Sequence, residues 1–118
     1  MKYSDFEKIL EEIKKDTQRY YNIGSYIYDS QEITLKNKNG EIILDDVNYY
    51  DEIEDAIIEE FEPSEFWVCE SRDGNLGRTQ VSLHREEFTG NIIKLYKATG
   101  RTPGEVLENP KSWKEIEK

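Results

Sequence analysis

Carboxylates dominate the side chains of this sequence that could do chemistry. Between Glu41 and Glu70 the chain carries twelve Asp and Glu residues and no Lys, Arg or His. Residues 1–40 hold seven acids and seven bases, and residues 71–118 hold seven acids and nine bases. This acidic segment therefore accounts for the net charge of −10. Such a charge repels nucleic acids and anionic membranes and attracts basic partners.

Five of these carboxylates fall together on one side of a predicted helix. Apolar residues recur at helical spacing from Tyr50 to Phe61, with Asn48 as the predicted N-cap and Pro63 after the end. On the opposite side of the helical wheel lie Asp51, Glu52, Asp55, Glu59 and Glu62. Carboxylates on a helix face recur every ~5 Å, near the spacing of phosphates along a nucleic-acid strand. The pattern favours a surface that occupies the Lys/Arg groove of a nucleic-acid-binding protein. The alternative is a solvated face that keeps the protein soluble.

The same carboxylates do not follow a recognisable metal-binding pattern. Calcium loops need convergent oxygens, as in D-x-D-x-D-G, and the spacing of Asp45, Asp46 and Asp51 differs from that motif. Carboxylates on one helix face diverge from a single ion unless another element completes the site. We therefore expect no metal and no cofactor.

A second candidate site is the segment 71–79, in which Arg72 and Arg78 flank a Gly-rich turn. Backbone N–H groups and guanidinium groups can surround a phosphate, although the G-K-S/T ending of a P-loop is missing. Trp67 offers a ring for stacking on a base, and the basic C-terminal half also contains Arg85. The alternative hypothesis is an oligomeric protein that binds a phosphorylated small molecule or nucleotide here. The same positive charge also allows electrostatic self-association with the acidic segment of a second copy.

The sequence contains one candidate Cys/His catalytic pair. Cys69 and His84 are the only Cys and the only His, and they fall on two strands predicted to pair. Cys69 follows Phe66, Trp67 and Val68, and a thiol in such surroundings is usually buried and inert. We therefore predict no catalytic residue and no enzyme activity. A lone Cys excludes an intramolecular disulfide and fits a reducing cytoplasm.

The elements that position these residues follow an α+β pattern. A capping box at Ser4 opens a predicted helix over residues 5–21, with Gly24 as its stop signal. A hairpin around Asn39-Gly40 precedes the acidic helix, and a second hairpin joins residues 66–70 to residues 80–84. Helical spacing returns from Phe88 to Thr99, and Thr102-Pro103 opens a further short helix. The predicted order is α-β-β-α-β-β-α with a short C-terminal helical tail.

The length of 118 residues fits a single domain over residues 1–118. We expect the two hairpins to join into one antiparallel sheet packed by helices. The apolar runs are too short for a membrane span, and the N-terminus lacks the apolar core of a signal peptide. The sequence thus predicts a small, acidic, non-enzymatic binding or inhibitor protein of the cytoplasm. Its expected partner is a basic, nucleic-acid-binding protein, with no direct contact to nucleic acid or membrane. Phage and mobile-element proteins that block host nucleases or defence complexes are similar in composition.

Overall fold

A computed structural model describes residues 1–116 and confirms the α+β class. In this part of the chain the α-helices are α1 (Tyr3–Lys15), α2 (Tyr50–Ala56) and α3 (Pro103–Glu108). The strands are β1 (Tyr20–Ile23), β2 (Tyr26–Asp29), β3 (Thr34–Asn37), β4 (Ile42–Leu44), β5 (Ser64–Asp73), β6 (Leu76–Ser82), β7 (Asn91–Gly100) and β8 (Lys114–Ile116). Short 3₁₀ turns lie at Ile58–Glu60, Arg85–Glu87 and Pro110–Ser112. The chain divides into two compact units, Met1–Glu62 and Pro63–Lys118.

The first unit contains an antiparallel sheet in the order β1-β2-β3-β4. Tyr21, Tyr28 and Leu35 lie opposite one another across three of its strands, and all three side chains are buried. The buried aromatic residues of this unit include Phe6 and Phe61, whose rings meet edge-on at 5.2 Å. The apolar face of the sheet and these aromatic side chains thus contribute to the core of the first unit.

Helix α1 differs from the predicted helix over residues 5–21 at both ends. Its N-cap is Lys2 and not Ser4, and it ends at Lys15 because Asp16 takes a left-handed conformation with φ of 52°. Residues 20–23 form β1, since neighbouring aromatic and β-branched side chains fit a pleated surface better than a helix. Gly24, with φ of 60°, lies in the turn between β1 and β2 and does not end a helix.

The second unit contains a separate antiparallel sheet in the order β6-β5-β7-β8. The two predicted hairpins therefore belong to two sheets, and the prediction of one joined sheet was wrong. Trp113 packs its ring against Tyr96 at 5.5 Å and donates its Nε1–H to the carbonyl oxygen of Val106 at 2.8 Å. This contact ties the segment after α3 to the sheet.

The predicted helix from Phe88 to Thr99 was also wrong, because residues 91–100 form β7. This strand pairs with β5 along its whole length, from Asn91 opposite Arg72 to Gly100 opposite Ser64. Its apolar residues fit the helical i,i+3/i+4 spacing, but it is also rich in β-branched and aromatic side chains. The long strand β5 provides hydrogen-bond partners for the backbone groups of β7. This tertiary pairing selects the strand over the helix. The C-terminal tail likewise contains β8 in addition to helical turns.

The Asn39-Gly40 turn connects β3 and β4 as predicted, with Gly40 at φ of 82°. The second hairpin is tighter than expected. Asp73 pairs with Leu76, so its loop consists of Gly74 and Asn75 alone. The arginines assigned to a loop over residues 71–79 therefore lie on strands.

Candidate interaction surface

The acidic helix is shorter than predicted. Helix α2 spans Tyr50–Ala56, begins after Tyr49 and not after Asn48, and gives way at Ile57 to a 3₁₀ turn. Its last turn contains no basic residue, so the carboxylates there oppose the helix dipole. Asp51, Glu52 and Asp55 lie on α2, Glu59 lies in the 3₁₀ turn, and Glu62 lies beyond it. The five predicted residues consequently do not share one continuous helix.

All five of these side chains are nevertheless exposed. Together with three further exposed carboxylates they form a group that we call the exposed acidic set. It consists of Glu41, Asp45, Asp46, Asp51, Glu52, Asp55, Glu59 and Glu62. Within residues 1–116, no member forms an ion pair with Lys, Arg or His. The whole set belongs to the first unit, which contains 17 acids and 7 bases, whereas the second unit contains nine of each. The net charge of the protein therefore lies on one unit.

Two members of the exposed acidic set also stabilise the fold. Glu52 Oε2 accepts the backbone N–H of Asn48 at 3.1 Å and that of Tyr49 at 3.3 Å, which satisfies donors that precede α2. Glu59 Oε1 accepts the hydroxyl of Tyr26 at 3.4 Å. Burial and the neighbouring Glu59 carboxylate raise the pKa of Tyr26 above its usual value. The remaining six are exposed residues.

Glu54 and Glu60, the other two carboxylates between Glu41 and Glu62, instead have structural contacts. Glu54 is buried and accepts a hydrogen bond from the hydroxyl of Tyr3. Burial raises the pKa of Glu54, and the charges of Asp51 and Asp55 add to this effect. Glu60 Oε1 accepts the backbone N–H of Ser25 at 3.1 Å. Neither residue belongs to the five-residue face predicted from the helical wheel.

Large apolar side chains are exposed in the same part of the chain as the carboxylates. Tyr49 is 71% exposed, Ile42 is 54% exposed and Ile43 is 40% exposed. Tyr49 lies immediately before α2, and the two isoleucines lie on the edge strand β4 between Glu41 and Asp45. Tyrosine is enriched at the energetic centres of protein interfaces. The sequence pattern alone did not distinguish these exposed side chains from the buried Tyr21 and Tyr28.

The arginine site of the alternative hypothesis is not assembled on one face. Arg78 pairs with Ser71, so Arg78 and the adjacent Arg72 project from opposite faces of the hairpin, because side chains alternate along a strand. Arg78 Nη1 donates to Thr89 Oγ1 at 3.2 Å. Arg85 lies in the separate 3₁₀ turn after β6.

The cationic side chain over the Trp67 ring is a lysine and not one of the predicted arginines. Lys97 Nζ is 3.7 Å from the centre of the Trp67 ring, and Lys97 lies opposite Trp67 in the β5–β7 pairing. Sequence reasoning missed this contact because it placed Lys97 on a helix. Once residues 91–100 are assigned to a strand, the alternation of side chains identifies the pair.

Cys69 and His84 do not face each other in the strand pairing. Cys69 is fully buried and lies opposite Gln80, whereas His84 follows the end of β6. His84 Nδ1 lies 3.9 Å from Glu86 Oε1, an ion pair only when the imidazole is protonated. The arrangement of these two residues gives no reason to assign a nucleophile and base.

In the described part of the chain, no group of three or more His, Cys, Asp or Glu side chains could hold a metal ion. None of the helices within residues 1–116 is long and apolar enough to cross a membrane. Comparisons of the chain with protein-family models, with curated proteins and with solved structures give no match.

Proposed function

We propose that this is a small, non-enzymatic binding or inhibitor protein whose first unit docks on a basic, nucleic-acid-binding surface of a partner protein. The observation that carries the proposal is the exposed acidic set, whose eight carboxylates lack ion pairs within residues 1–116. A Lys/Arg groove provides positive charge at many positions, which is the complement that such a set requires.

The arrangement is costly for the isolated protein. Asp51 and Asp55 are separated by one helical turn, and a like-charge pair at this spacing destabilises a helix by about 0.2–0.5 kcal/mol. Interspersed lysines would relieve this repulsion and still leave a soluble surface. The second unit has that mixed composition, with nine acids and nine bases. A requirement for solubility therefore does not account for a base-free segment, whereas binding to a basic partner does.

The exposed apolar side chains support a protein partner over a diffuse cloud of counterions. Tyr49 lies between the carboxylates of Asp46 and Asp51 in the sequence, and Ile42 and Ile43 lie between those of Glu41 and Asp45. Interfaces obtain most of their binding energy from a few such buried anchors, while surrounding charges set orientation and association rate. The proposed interface therefore combines apolar anchors with carboxylates that take the place of nucleic-acid phosphates.

The partner class that follows is a cytoplasmic protein with a groove for DNA or RNA. Anti-defence proteins of phages and mobile elements, which block nucleases in this way, are the biological class that we favour. Occupation of the groove by carboxylates would exclude the nucleic acid, so inhibition requires no catalytic residue.

The test compares two charge-reversal variants of equal charge. Asp51→Lys/Asp55→Lys changes the exposed acidic set, and Glu11→Lys/Glu12→Lys changes two exposed carboxylates of α1. Each tagged protein is used to capture partners from an extract of its source cells at low salt and at about 0.5 M salt, where the Debye length falls below about 5 Å. The captured proteins are identified, purified and titrated with each variant in the presence and absence of competing DNA.

We expect a nucleic-acid-binding partner that is released by salt and displaced by DNA. Its affinity should fall at least tenfold for Asp51→Lys/Asp55→Lys and by much less for Glu11→Lys/Glu12→Lys. Equal losses in the two variants would mean that only net charge matters. Capture that survives high salt and is unaffected by DNA would contradict the proposal.

A further inference from the structure

A row of four residues crosses the sheet of the second unit. Ser82 of β6 lies opposite Trp67 of β5, Trp67 lies opposite Lys97 of β7, and Lys97 lies opposite Lys114 of β8. Directly paired residues project from the same face of an antiparallel sheet. The row therefore places an indole ring and two ammonium groups side by side, although they are far apart in the sequence.

Lys97 is held in place by two neighbours. Its Nζ lies 3.7 Å from the centre of the Trp67 ring, which is a cation–π contact. The same Nζ lies 2.9 Å from Glu65 Oε1. The ammonium group is thus preorganised between an aromatic ring and a carboxylate.

Lys114 differs from Lys97 in having no such compensation. Its side chain is exposed, and within the described residues it forms no ion pair. Like charges directly opposite each other in a sheet are destabilising, so the pairing of Lys97 with Lys114 opposes folding. An anion between the two ammonium groups would remove this repulsion.

A pocket of about 290 Å³ adjoins the two lysines. It is lined by Glu65, Lys97, Ala98, Thr99, Ser112 and Lys114. Thr99 is exposed and its hydroxyl can donate to an anion. Ser112 Oγ already donates to the carbonyl oxygen of Asn109 at 2.8 Å, so towards a ligand it acts as an acceptor. The Glu65 carboxylate is also an acceptor, which suits a ligand that carries hydroxyl donors as well as negative charge.

We propose that this pocket binds a phosphorylated small molecule with a hydroxylated body, such as a sugar phosphate or a nucleotide. The phosphate lies between Lys97 and Lys114 and accepts from Thr99, and the ligand hydroxyls donate to Glu65 and Ser112. This site uses lysines of β7 and β8 and does not involve Arg72 or Arg78. The pocket lies wholly in the second unit, so a test of this site is independent of the proposed role of the exposed acidic set.

The position of Lys97 over the Trp67 ring provides a spectroscopic test. The protein has two tryptophans, so Trp113→Phe leaves Trp67 as the only indole. Fluorescence is recorded while ribose 5-phosphate, adenosine monophosphate, inorganic phosphate or unphosphorylated ribose is added. Isothermal titration calorimetry on the unsubstituted protein gives the same affinities without reliance on the Trp113→Phe variant.

We expect a saturable change in Trp67 emission with the phosphorylated probes, because a phosphate bound to Lys97 changes the electrostatic surroundings of the ring. Ribose should give no change, and inorganic phosphate should bind more weakly than ribose 5-phosphate because it lacks the hydroxyls. Lys97→Met and Lys114→Met should each weaken binding at least tenfold. The matched control is Lys94→Met, since Lys94 is an exposed lysine of the same strand β7 but projects from the opposite face.

Two results would overturn the proposal as a whole, and a third would overturn its assignment of a hydroxylated ligand. One is the absence of saturable binding, measured by calorimetry, for every phosphorylated probe up to a concentration of about 10 mM. A dissociation constant above this concentration would be weaker than the millimolar affinities of small-ligand sites. The other is an equal loss for Lys94→Met and Lys114→Met, which would indicate nonspecific attraction of anions to surface lysines. Binding of inorganic phosphate as tight as that of ribose 5-phosphate would contradict the assigned roles of Glu65 and Ser112.

Discussion

The hydroxyl of Tyr3 in α1 donates a hydrogen bond to the carboxylate of Glu54 in α2, and both side chains are buried. This bond joins the two helices of the first unit across 51 positions of the sequence. Burial raises the pKa of Glu54, and the charges of Asp51, Asp55 and Glu7 reinforce that shift. The core of the first unit is thus electrostatically linked to the surface carboxylates of α2.

The raised pKa of Glu54 predicts a pH-dependent contribution to stability. The ordinary value is 4.5, so above this pH the unfolded chain releases the Glu54 proton while the folded chain retains it. The contribution of Glu54 to the free energy of unfolding therefore falls as pH rises from about 4.5 through the folded pKa, and is constant above it. Glu54→Gln removes this titration. Its stability relative to the parent should be greater at pH 7 than at pH 4, as measured by urea denaturation. A stability difference that does not vary with pH would contradict this assignment.

Removal of the Tyr3 hydroxyl should destabilise the first unit. Tyr3→Phe leaves the buried Glu54 carboxylate without this donor, and an unsatisfied buried group costs about 1–3 kcal/mol. The loss should be larger at pH 7 than at pH 4, because the charged carboxylate needs the donor more than the neutral acid does. Urea denaturation of Tyr3→Phe, Glu54→Gln and the double variant measures the coupling between the two side chains. Additive effects would mean that the hydrogen bond contributes nothing to stability.

Glu52 has two roles that substitution can separate. As an acceptor for two backbone N–H groups before α2, it should lose about 0.5–2 kcal/mol of stability on replacement by Ala. Glu52→Gln keeps an acceptor oxygen but removes the charge, so it should retain most of that stability while weakening binding to the basic partner. Thermal unfolding and partner titration are measured on both variants. Equal binding by Glu52→Gln and the parent would remove Glu52 from the proposed interface.

Local sequence signals predicted those elements whose geometry depends on neighbouring residues. The Asn39-Gly40 turn follows from turn preference alone. The start of α1 was not predicted correctly, because no side chain caps the helix and its N-cap is Lys2. The helix ends before Asp16, which takes a left-handed conformation. Gly or Asn at this position would have indicated the end of the helix more clearly.

The features that were missed depend on partners distant in the sequence. Residues 91–100 fit a helix as well as a strand, and only their pairing with β5 selects the strand. Lys114 lies opposite Lys97 through that same pairing, so no local pattern marks the pocket between them. Composition alone locates the acidic segment, whereas the division of its exposed carboxylates between α2, a 3₁₀ turn and the following segment was not predictable from it.

Asp16 offers a stabilising substitution. It follows the last residue of α1 with φ of 52°, a conformation in which glycine has no steric cost. Its negative charge also lies at the C-terminal end of the helix dipole, which is unfavourable. Asp16→Gly should therefore raise the free energy of unfolding by roughly 0.5–1 kcal/mol. Asp16→Asn, which removes only the charge, should give part of this gain in urea denaturation. A loss of stability in both variants would show that Asp16 makes a favourable interaction.

Gly100 at the end of β7 should not tolerate a larger side chain while Val106 is present. A Cβ atom at this position would lie 2.7 Å from Val106 Cγ2, and both residues are buried. Gly100→Ala should therefore cost about 1–3 kcal/mol from overpacking, measured by urea denaturation. Val106→Ala creates a cavity and is destabilising by itself, but it removes the atom that the new methyl group meets. The double variant should consequently be more stable than the sum of the two single effects predicts. Strict additivity would mean that the close approach of α3 to β7 at Gly100 does not restrict this position.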